Sequence, residues 1–205
     1  MNIFLRPGEI FVSKNPVMVT TILGSCVSVT MFANRLRMGG ICHARLPHGR
    51  GANPLDYVDT AIVCTARILD RMGVKRDETK VKLFGGAEVL NQVCGSGKSV
   101  GRRNIETALE MIEGLGLHLS GRAVGGSLGR KLCFQTSTGW VSWTYAGSDF
   151  ESERNTTAPE ADVILAKPSS VISGTSLPKS CACPDGHRAG PSGGGTSSIG
   201  KRGIT

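Results

Sequence analysis

Residues 20–47 read Thr20-Thr-Ile-Leu-Gly-Ser-Cys26-Val-Ser-Val-Thr-Met-Phe-Ala-Asn-Arg-Leu-Arg-Met-Gly-Gly-Ile-Cys-His43-Ala-Arg-Leu-Pro47. This stretch determines how the N-terminal part of the chain folds. It contains two apolar, β-branched runs around a polar break at residues 33–35, a pattern typical of a β-hairpin. If the runs pair about the 34–35 junction, Cys26 lies directly opposite His43, with Cβ atoms roughly 5 Å apart. A cysteine needs a base or a cation beside it to become a nucleophile. The hairpin is therefore predicted to bring a thiol and its base together.

A purely structural interpretation of the same residues stays open. Cys26 would then be a small buried residue, and His43 a core histidine whose hydrogen bonds are satisfied. Gly24, Gly39 and Gly40 could bulge the strands, and a register slip of one residue would turn a side chain to the other face. The spacing alone favours this structural interpretation.

Further strands and two helices are predicted along the chain. Asn53-Pro54 is a helix-start signal, and apolar residues recur at helical spacing from Val58 to Met72, before Gly73. A second helix is expected to begin near Asn104. Strands are predicted over residues 10–12, 17–23, 27–32, 38–45, 80–84, 117–119, 131–135 and 140–145. This mixture predicts an α+β fold, a β-strand-rich layered sandwich with two main helices packed on the sheet.

The end of the chain differs in composition from the rest. Residues 171–205 are rich in Gly, Ser and Pro and have few large apolar side chains. Such a segment cannot bury enough surface to offset the entropy lost on ordering. We therefore predict one domain over residues 1–153 and a low-complexity, disordered tail over residues 154–205.

Charge and cysteine content restrict the classes of function. The chain of 205 residues has a net charge of +8, which suits acidic partners. Its basic residues are scattered and only 5% of residues are aromatic, so no nucleic-acid partner is predicted. No signal peptide and no apolar run of about 20 residues is present, so membrane insertion is not expected. Seven cysteines without a regular framework predict free thiols and a cytoplasmic location.

Two motifs resemble ligand sites without meeting their requirements. Gly95-Ser-Gly-Lys-Ser99 resembles a phosphate-binding loop, but Gln92 stands where the first glycine belongs. Cys181, Cys183 and His187 supply three candidate metal ligands, one fewer than a structural zinc site requires. We therefore predict no cofactor and no metal, a solvent-exposed loop near residue 97, and exposed thiols in the tail.

Arg130 and the two tryptophans are candidates for partner contacts. Arg130 follows a glycine-rich stretch and could recognise an acidic group, although a surface salt bridge is the default expectation. Trp140 and Trp143 are three residues apart and are predicted to face opposite sides of a strand. We expect one of them in the core and the other partly exposed.

Three ordered blocks, within residues 1–146, carry a family pattern. The first block has Thr20, Leu23-Gly24-Ser25-Cys26-Val27, Gly39-Gly40, His43 and Leu46-Pro47. The second has Lys82-Leu83-Phe84-Gly85-Gly86-Ala87 and Gly101-Arg-Arg-Asn104. The third has Val124-Gly125-Gly126-Ser-Leu-Gly129-Arg130-Lys131, Phe134 and Thr138-Gly139. In this order the blocks resemble the CheD family of bacterial chemotaxis proteins, which are chemoreceptor glutamine deamidases.

The resemblance implies a protein-glutamine deamidase with a triad of Cys26, His43 and Thr20. Cys26 would attack the glutamine carboxamide, His43 would transfer the proton, and Thr20 would hold the imidazole by a hydrogen bond. Thr20 is preferred over Thr21 because it lies six residues before the cysteine, as in the family pattern. Cys42, beside His43, is either a core residue or a thiol that could oxidise against Cys26.

The partners implied by the resemblance are methyl-accepting chemoreceptor helices, as substrate, and a CheC-type phosphatase. An alternative function is therefore an adaptor that regulates such a phosphatase with weak or no hydrolysis. A cysteine hydrolase acting on a small amide or thioester also fits the residues. The presence of all three triad residues favours the deamidase.

Overall fold

The computed structural model describes residues 1–88, 93–94, 97–146 and 164–166 of the chain. Its strands are β1 (Asn2–Phe4), β2 (Glu9–Ser13), β3 (Met18–Leu23), β4 (Val27–Ala33), β5 (Met38–Ala44), β6 (Thr79–Gly85), β7 (Val93–Cys94), β8 (Lys98–Ser99), β9 (His118–Val124), β10 (Arg130–Gln135), β11 (Val141–Tyr145) and β12 (Ile164–Ala166). They form a six-stranded sheet in the order β12-β2-β5-β4-β6-β9, a four-stranded sheet in the order β1-β3-β10-β11, and the small ribbon β7-β8.

The two helices begin at the signals that their sequences carry. A single 3₁₀ turn, Pro54–Asp56, follows Asn53, whose side chain accepts a hydrogen bond from the backbone N–H of Leu55. Helix α1 (Val58–Arg71) comes next, and Gly73 then adopts φ of 84°. Helix α2 (Val100–Gly114) begins four residues before the predicted Asn104, because the Ser99 hydroxyl caps it by accepting from Arg102 N.

The described residues form three layers of secondary structure, namely the helices, the six-stranded sheet and the four-stranded sheet, which confirms the predicted α+β sandwich. Two apolar layers lie between them. The helix layer lies between the helices and the six-stranded sheet and contains Val12, Val29, Met31, Cys42, Ile62, Leu69, Leu83 and Ile112 among others. The inter-sheet layer lies between the two sheets and contains Leu5, Phe11, Val17, Val19, Leu23, Ile41, Phe84, Leu132 and Phe134. Side chains alternate along β4 and β5, so each of these strands contributes to both layers.

The hairpin of β4 and β5 forms, but its predicted register is wrong. Ala33 pairs with Met38, so the turn has four residues instead of two, and His43 lies opposite Ser28 instead of Cys26. A two-residue hairpin turn favours glycine or asparagine at both central positions, because both need positive φ. The four-residue turn places only Arg37 in that region, at φ of 48°. Because the shift is by two residues, it leaves Cys26 on the same face of the sheet as His43.

The predicted domain boundary near residue 153 lies outside the described residues, as does most of the predicted tail. Within that tail, Ile164–Ala166 pairs with β2 at the edge of the six-stranded sheet. No helix in the described part of the chain is long and apolar enough to span a membrane.

Candidate active site

His43 lies in the middle of the molecule, with 2% of its surface exposed. Its Nδ1 atom is 2.8 Å from Thr21 Oγ1, and the same hydroxyl donates to the carbonyl of Leu5 at 2.8 Å. Because a hydroxyl has one proton, and that proton is given to Leu5, Thr21 must accept from Nδ1–H. The network thus assigns the tautomer that leaves Nε2 unprotonated. Nε2 has no hydrogen-bond partner among the described residues.

The predicted hydrogen bond from Thr20 to the imidazole is wrong, since Thr21 makes it. Val19 and Leu23 point from β3 into the inter-sheet layer, and Thr21 lies between them on the same face. Thr20 therefore points to the other face, where its Oγ1 lies 3.6 Å from Cys133 Sγ. The alternation of apolar residues along β3 could have identified Thr21, whereas the spacing of six residues pointed to Thr20.

Cys26 lies in the short segment between β3 and β4 and packs, partly buried, against the inter-sheet layer. His43 is opposite Ser28, two residues further along the chain, so Cys26 and His43 open onto the same layer. In the described structure the two side chains are not hydrogen-bonded to each other. The hydroxyl of Ser28 also lacks a partner there. The predicted thiol and imidazole thus face the same layer, without a hydrogen bond between them.

Three successive carbonyls around Cys26 accept hydrogen bonds from the residues after β6 and from α2. They belong to Gly24, Ser25 and Cys26 and accept, each at 2.8 Å, from Ala87 N, Asn104 Nδ2 and Gly86 N respectively. The N–H and C=O of a trans peptide point in opposite directions. The N–H groups of Ser25 and Cys26 therefore point away from the partners of the Gly24 and Ser25 carbonyls, and the N–H of Cys26 lies close to its own thiol. Two such donors are the usual means of binding an oxyanion.

Two glycines let the backbone approach Cys26. Gly85 and Gly86 have φ of 99° and 67°, in the left-handed region. A Cβ atom on Gly85 would lie 2.2 Å from the Cys26 carbonyl oxygen, and one on Gly86 would lie 2.5 Å from the Ile105 side chain. A larger residue at Gly85 would therefore push the end of β6 away from the Cys26 segment, and one at Gly86 would push it away from α2. This explains the Gly-Gly in the second sequence block.

Asn104 joins the Cys26 segment to the end of β5. Its side chain is completely buried on α2, and its Nδ2 donates to the carbonyls of Ser25, at 2.8 Å, and Arg45, at 2.9 Å. One amide therefore fixes the two backbone segments that carry Cys26 and His43. Asn104 belongs to the second sequence block, but the sequence pattern alone indicates no role for it.

Burial keeps both candidate catalytic groups neutral. It raises the pKa of the Cys26 thiol, and the nearby Arg45 and the backbone N–H of Cys26 only partly oppose this. It also lowers the pKa of His43 to about 4; a hydrogen bond with the Leu5 backbone partly opposes this shift, and Arg45 adds to it. The pair therefore exists as thiol and imidazole at neutral pH, not as an ion pair.

Cys42 is separated from Cys26 by the six-stranded sheet. It faces the helix layer, while Cys26 faces the inter-sheet layer, which rules out the alternative in which Cys42 oxidises against Cys26. Burial raises the pKa of the Cys42 thiol to about 11. Its role is that of a core residue. The candidate metal ligands Cys181, Cys183 and His187 lie outside the described residues.

The loop that resembles a phosphate site uses its polar residues locally. Lys98 Nζ lies 2.9 Å from Glu106 Oε1, and Ser99 caps α2. Gly97 has φ of 75° and is exposed, as expected for a turn. The described part of the loop is thus committed to the start of α2.

Comparison with known proteins identifies the family. The family model for CheD, described as chemotactic sensory transduction, matches residues 44–144. A probable chemoreceptor glutamine deamidase CheD 2 of Geobacter sulfurreducens is 41% identical over 140 residues, covering 68% of this chain and 87% of the relative. The corresponding protein of Maridesulfovibrio salexigens is 41% identical over 154 residues, 68% of this chain and 89% of its own. One from Methanococcus maripaludis is 35% identical over 144 residues, with 67% and 90% covered. The chain belongs to the CheD family.

Proposed function

We propose that this protein is a protein-glutamine deamidase that converts glutamine side chains of chemoreceptors to glutamate and releases ammonia. The observation that carries the proposal is the Thr21–His43 pair, which leaves an unprotonated, unpartnered Nε2 in the same layer as Cys26. The names of the relatives, probable chemoreceptor glutamine deamidases, supply the substrate class.

The first half of the reaction forms a thioester. His43 Nε2 takes the proton of the Cys26 thiol, and the sulfur attacks the carboxamide carbon of the glutamine. The C=O becomes an oxyanion, which the N–H groups of Ser25 and Cys26 can stabilise. When the C=O re-forms, the C–N bond breaks. The imidazolium gives its proton to the departing nitrogen, so ammonia leaves and the acyl group stays on sulfur.

The second half hydrolyses the thioester. A water molecule loses a proton to His43 Nε2 and attacks the same carbon. The C–S bond then breaks, the sulfur recovers the proton from His43, and the product is a glutamate side chain. Thr21 accepts from Nδ1–H throughout, which keeps the ring in the tautomer needed for both steps.

Burial sets a condition on this mechanism. The low pKa of His43, about 4, makes it a weak base, and the raised pKa of Cys26 makes the thiol a weak acid. Proton transfer between them is therefore efficient only once a bound carboxamide accepts the developing charge at the oxyanion donors. We infer that substrate binding brings Cys26 and His43 into hydrogen-bond contact. The resting protein is then protected against nonspecific alkylation and oxidation.

The regulation of a CheC-type phosphatase remains a prediction from the family resemblance. It needs no catalytic group, so it does not depend on the arrangement of Cys26, His43 and Thr21. An adaptor without hydrolysis would, however, leave the buried polar network around His43 without a use.

The test is mass spectrometry of a purified chemoreceptor cytoplasmic fragment incubated with the full chain. We expect the mass gain of an NH₂-to-OH exchange at specific glutamines with the wild type and none with Cys26→Ala. Retention of the gain with Cys26→Ala would refute the proposed nucleophile. Absence of the gain with the wild type, on receptors from the same organism, would refute the deamidase.

A further inference from the structure

Arg130 is a cation in an unusual environment. It is the first residue of β10, only 5% of its surface is exposed, and it shares a face with the inter-sheet residues Leu132 and Phe134. Its Cζ lies 5.4 Å from the ring centre of Trp143 and 5.7 Å from that of Tyr145, and the two rings meet edge to face. These rings hold the guanidinium by cation–π contacts.

Two nitrogens of this guanidinium, Nε and Nη1, are buried without a hydrogen-bond partner among the described residues. The default expectation of a surface salt bridge is therefore wrong for the described part of the chain. A buried charged donor that lacks an acceptor is costly, and native structures rarely retain one without a use. The arrangement is that of a binding group without its ligand.

The position of Arg130 connects it to the candidate active site. It pairs across the sheet with Leu23, the last residue of β3 before the segment that carries Cys26. The adjoining loop is held to the same region, because Gly125 N donates to Gly85 O at 2.9 Å and Glu88 N donates to Gly126 O at 2.8 Å. Arg130 and Cys26 thus flank one end of the inter-sheet layer.

The surroundings of Arg130 suit a protein ligand. Trp143 and Tyr145 are 39% and 47% exposed. Because Trp140 is 51% exposed as well, the prediction that one tryptophan lies in the core is wrong. Leu128, in the same loop, is 53% exposed. Half-exposed aromatic and apolar side chains around one charged anchor are typical of protein-binding surfaces.

We propose that Arg130, framed by Trp143 and Tyr145, binds the carboxylate of an acidic side chain on the substrate protein, on the same helix as the glutamine to be deamidated. A guanidinium presents a planar fork that fits a carboxylate better than a single-point acceptor. The net charge of +8 favours an acidic partner. This inference rests on the proposed deamidase and adds its specificity: glutamines near an acidic residue are preferred.

The first experiment changes only the substrate. Each Asp or Glu within two helical turns of a deamidated glutamine in the receptor fragment is replaced by Ala, one at a time. We expect one replacement to raise KM about 10- to 100-fold with little change in kcat, because a charge-assisted hydrogen-bonded pair is lost from binding. Equal kinetics for every replaced fragment would overturn the inference while leaving the deamidase intact.

The second experiment measures binding without turnover. The full-length Cys26→Ala, Trp140→Phe double variant has Trp143 as its single tryptophan, beside Arg130. Titration with the receptor fragment should change its fluorescence, and the fragment lacking the acidic side chain should bind about 10- to 100-fold more weakly. Equal affinity for both fragments would contradict the proposal.

The protein side is tested with matched arginines. Arg130→Gln should raise KM to the level of the substrate variant, and combining both changes should add little. Arg122→Gln is the control: it lies exposed on β9, on the face opposite the inter-sheet residue Ala123. Additive effects of Arg130→Gln and the substrate change, or an equal effect of Arg122→Gln, would show that general charge and not this pair is responsible.

Discussion

The two apolar layers of this protein treat their polar groups differently. In the helix layer, the buried hydroxyls of Thr65 and Thr107 bond to the Ala61 carbonyl at 2.7 Å and to His48 Nε2 at 2.9 Å. In the inter-sheet layer, Ser28 Oγ, His43 Nε2 and two nitrogens of Arg130 lack partners among the described residues. Among the described residues, Asn104 Oδ1 on α2 is the one buried side-chain atom without a partner that lies outside the inter-sheet layer. The unpaired groups are therefore concentrated in the inter-sheet layer, where a substrate can use them.

Neighbouring residues of β5 show the same contrast. Cys42 faces the helix layer, and burial raises its pKa to about 11. His43 faces the inter-sheet layer and keeps an open Nε2. One step along a strand therefore separates an inert thiol from a candidate base. Variants matched across the two layers can test this difference.

The largest difference is expected between Cys26→Ala and Cys42→Ala. Loss of the nucleophile should lower kcat/KM for deamidation by at least about 1,000-fold, with little change in stability. Cys42→Ala should retain activity but lower the free energy of unfolding by about 1 kcal/mol, as a small core truncation does. Deamidation kinetics and chemical denaturation of both variants provide the test. Equal deamidation activities of Cys26→Ala and Cys42→Ala would contradict the proposal that the catalytic thiol lies in the inter-sheet layer.

The next largest difference is expected between two histidines. His43→Gln should lower kcat by about 100- to 10,000-fold, the usual contribution of a general acid–base group. His48→Gln should have little effect, because His48 bonds to Thr107 on α2 and is 55% exposed in its side chain. Steady-state kinetics of both variants provide the test. A greater loss of kcat in His48→Gln than in His43→Gln would contradict the assignment of His43 as the base.

The adjacent threonines give a smaller but sharper comparison. Thr21→Val keeps the shape of the residue but removes the acceptor for Nδ1–H, so we expect a rate lower by about 10- to 1,000-fold. Thr20→Val should change the rate little, since its hydroxyl contacts Cys133 on the other face. The deamidation rates of both variants, compared at matched stability, provide the test. An unchanged rate in Thr21→Val together with a strongly reduced rate in Thr20→Val would support Thr20 as the partner of His43, as the spacing predicted.

The smallest effect concerns pH. His43 has a pKa of about 4 when folded and near 6.5 when unfolded, so the unfolded chain binds more protons between these values. The contribution of His43 to stability is therefore complete above pH 6.5 and is lost as pH falls towards 4, by about 3 kcal/mol in total. The free energy of unfolding of His43→Gln, measured by denaturation across this range, should fall less steeply than that of the wild type. Parallel slopes would mean that burial does not shift His43.

The strand and helix patterns were sufficient to predict a layered α+β sandwich with two helices on the sheet, because alternation and helical spacing are local properties. The division of the strands between two sheets depends on distant pairings and was not predicted. The hairpin register was not predictable to the same degree, since it depends on whether Arg37 accepts a left-handed conformation. Thr21 could have been found from its place between Val19 and Leu23. The roles of Asn104 and Arg130 could not, because each depends on contacts with residues distant in the sequence.

Cys26, in the inter-sheet layer, is proposed to attack a glutamine side chain with the help of His43. A receptor peptide in which the target glutamine is replaced by its diazoketone analogue would alkylate the attacking nucleophile irreversibly. Peptide mapping of the full chain by mass spectrometry then identifies the modified residue. We predict attachment to Cys26, strongly reduced by His43→Gln and unchanged by Cys42→Ala. Attachment to Cys42, Cys64 or Cys133 in place of Cys26 would contradict the account.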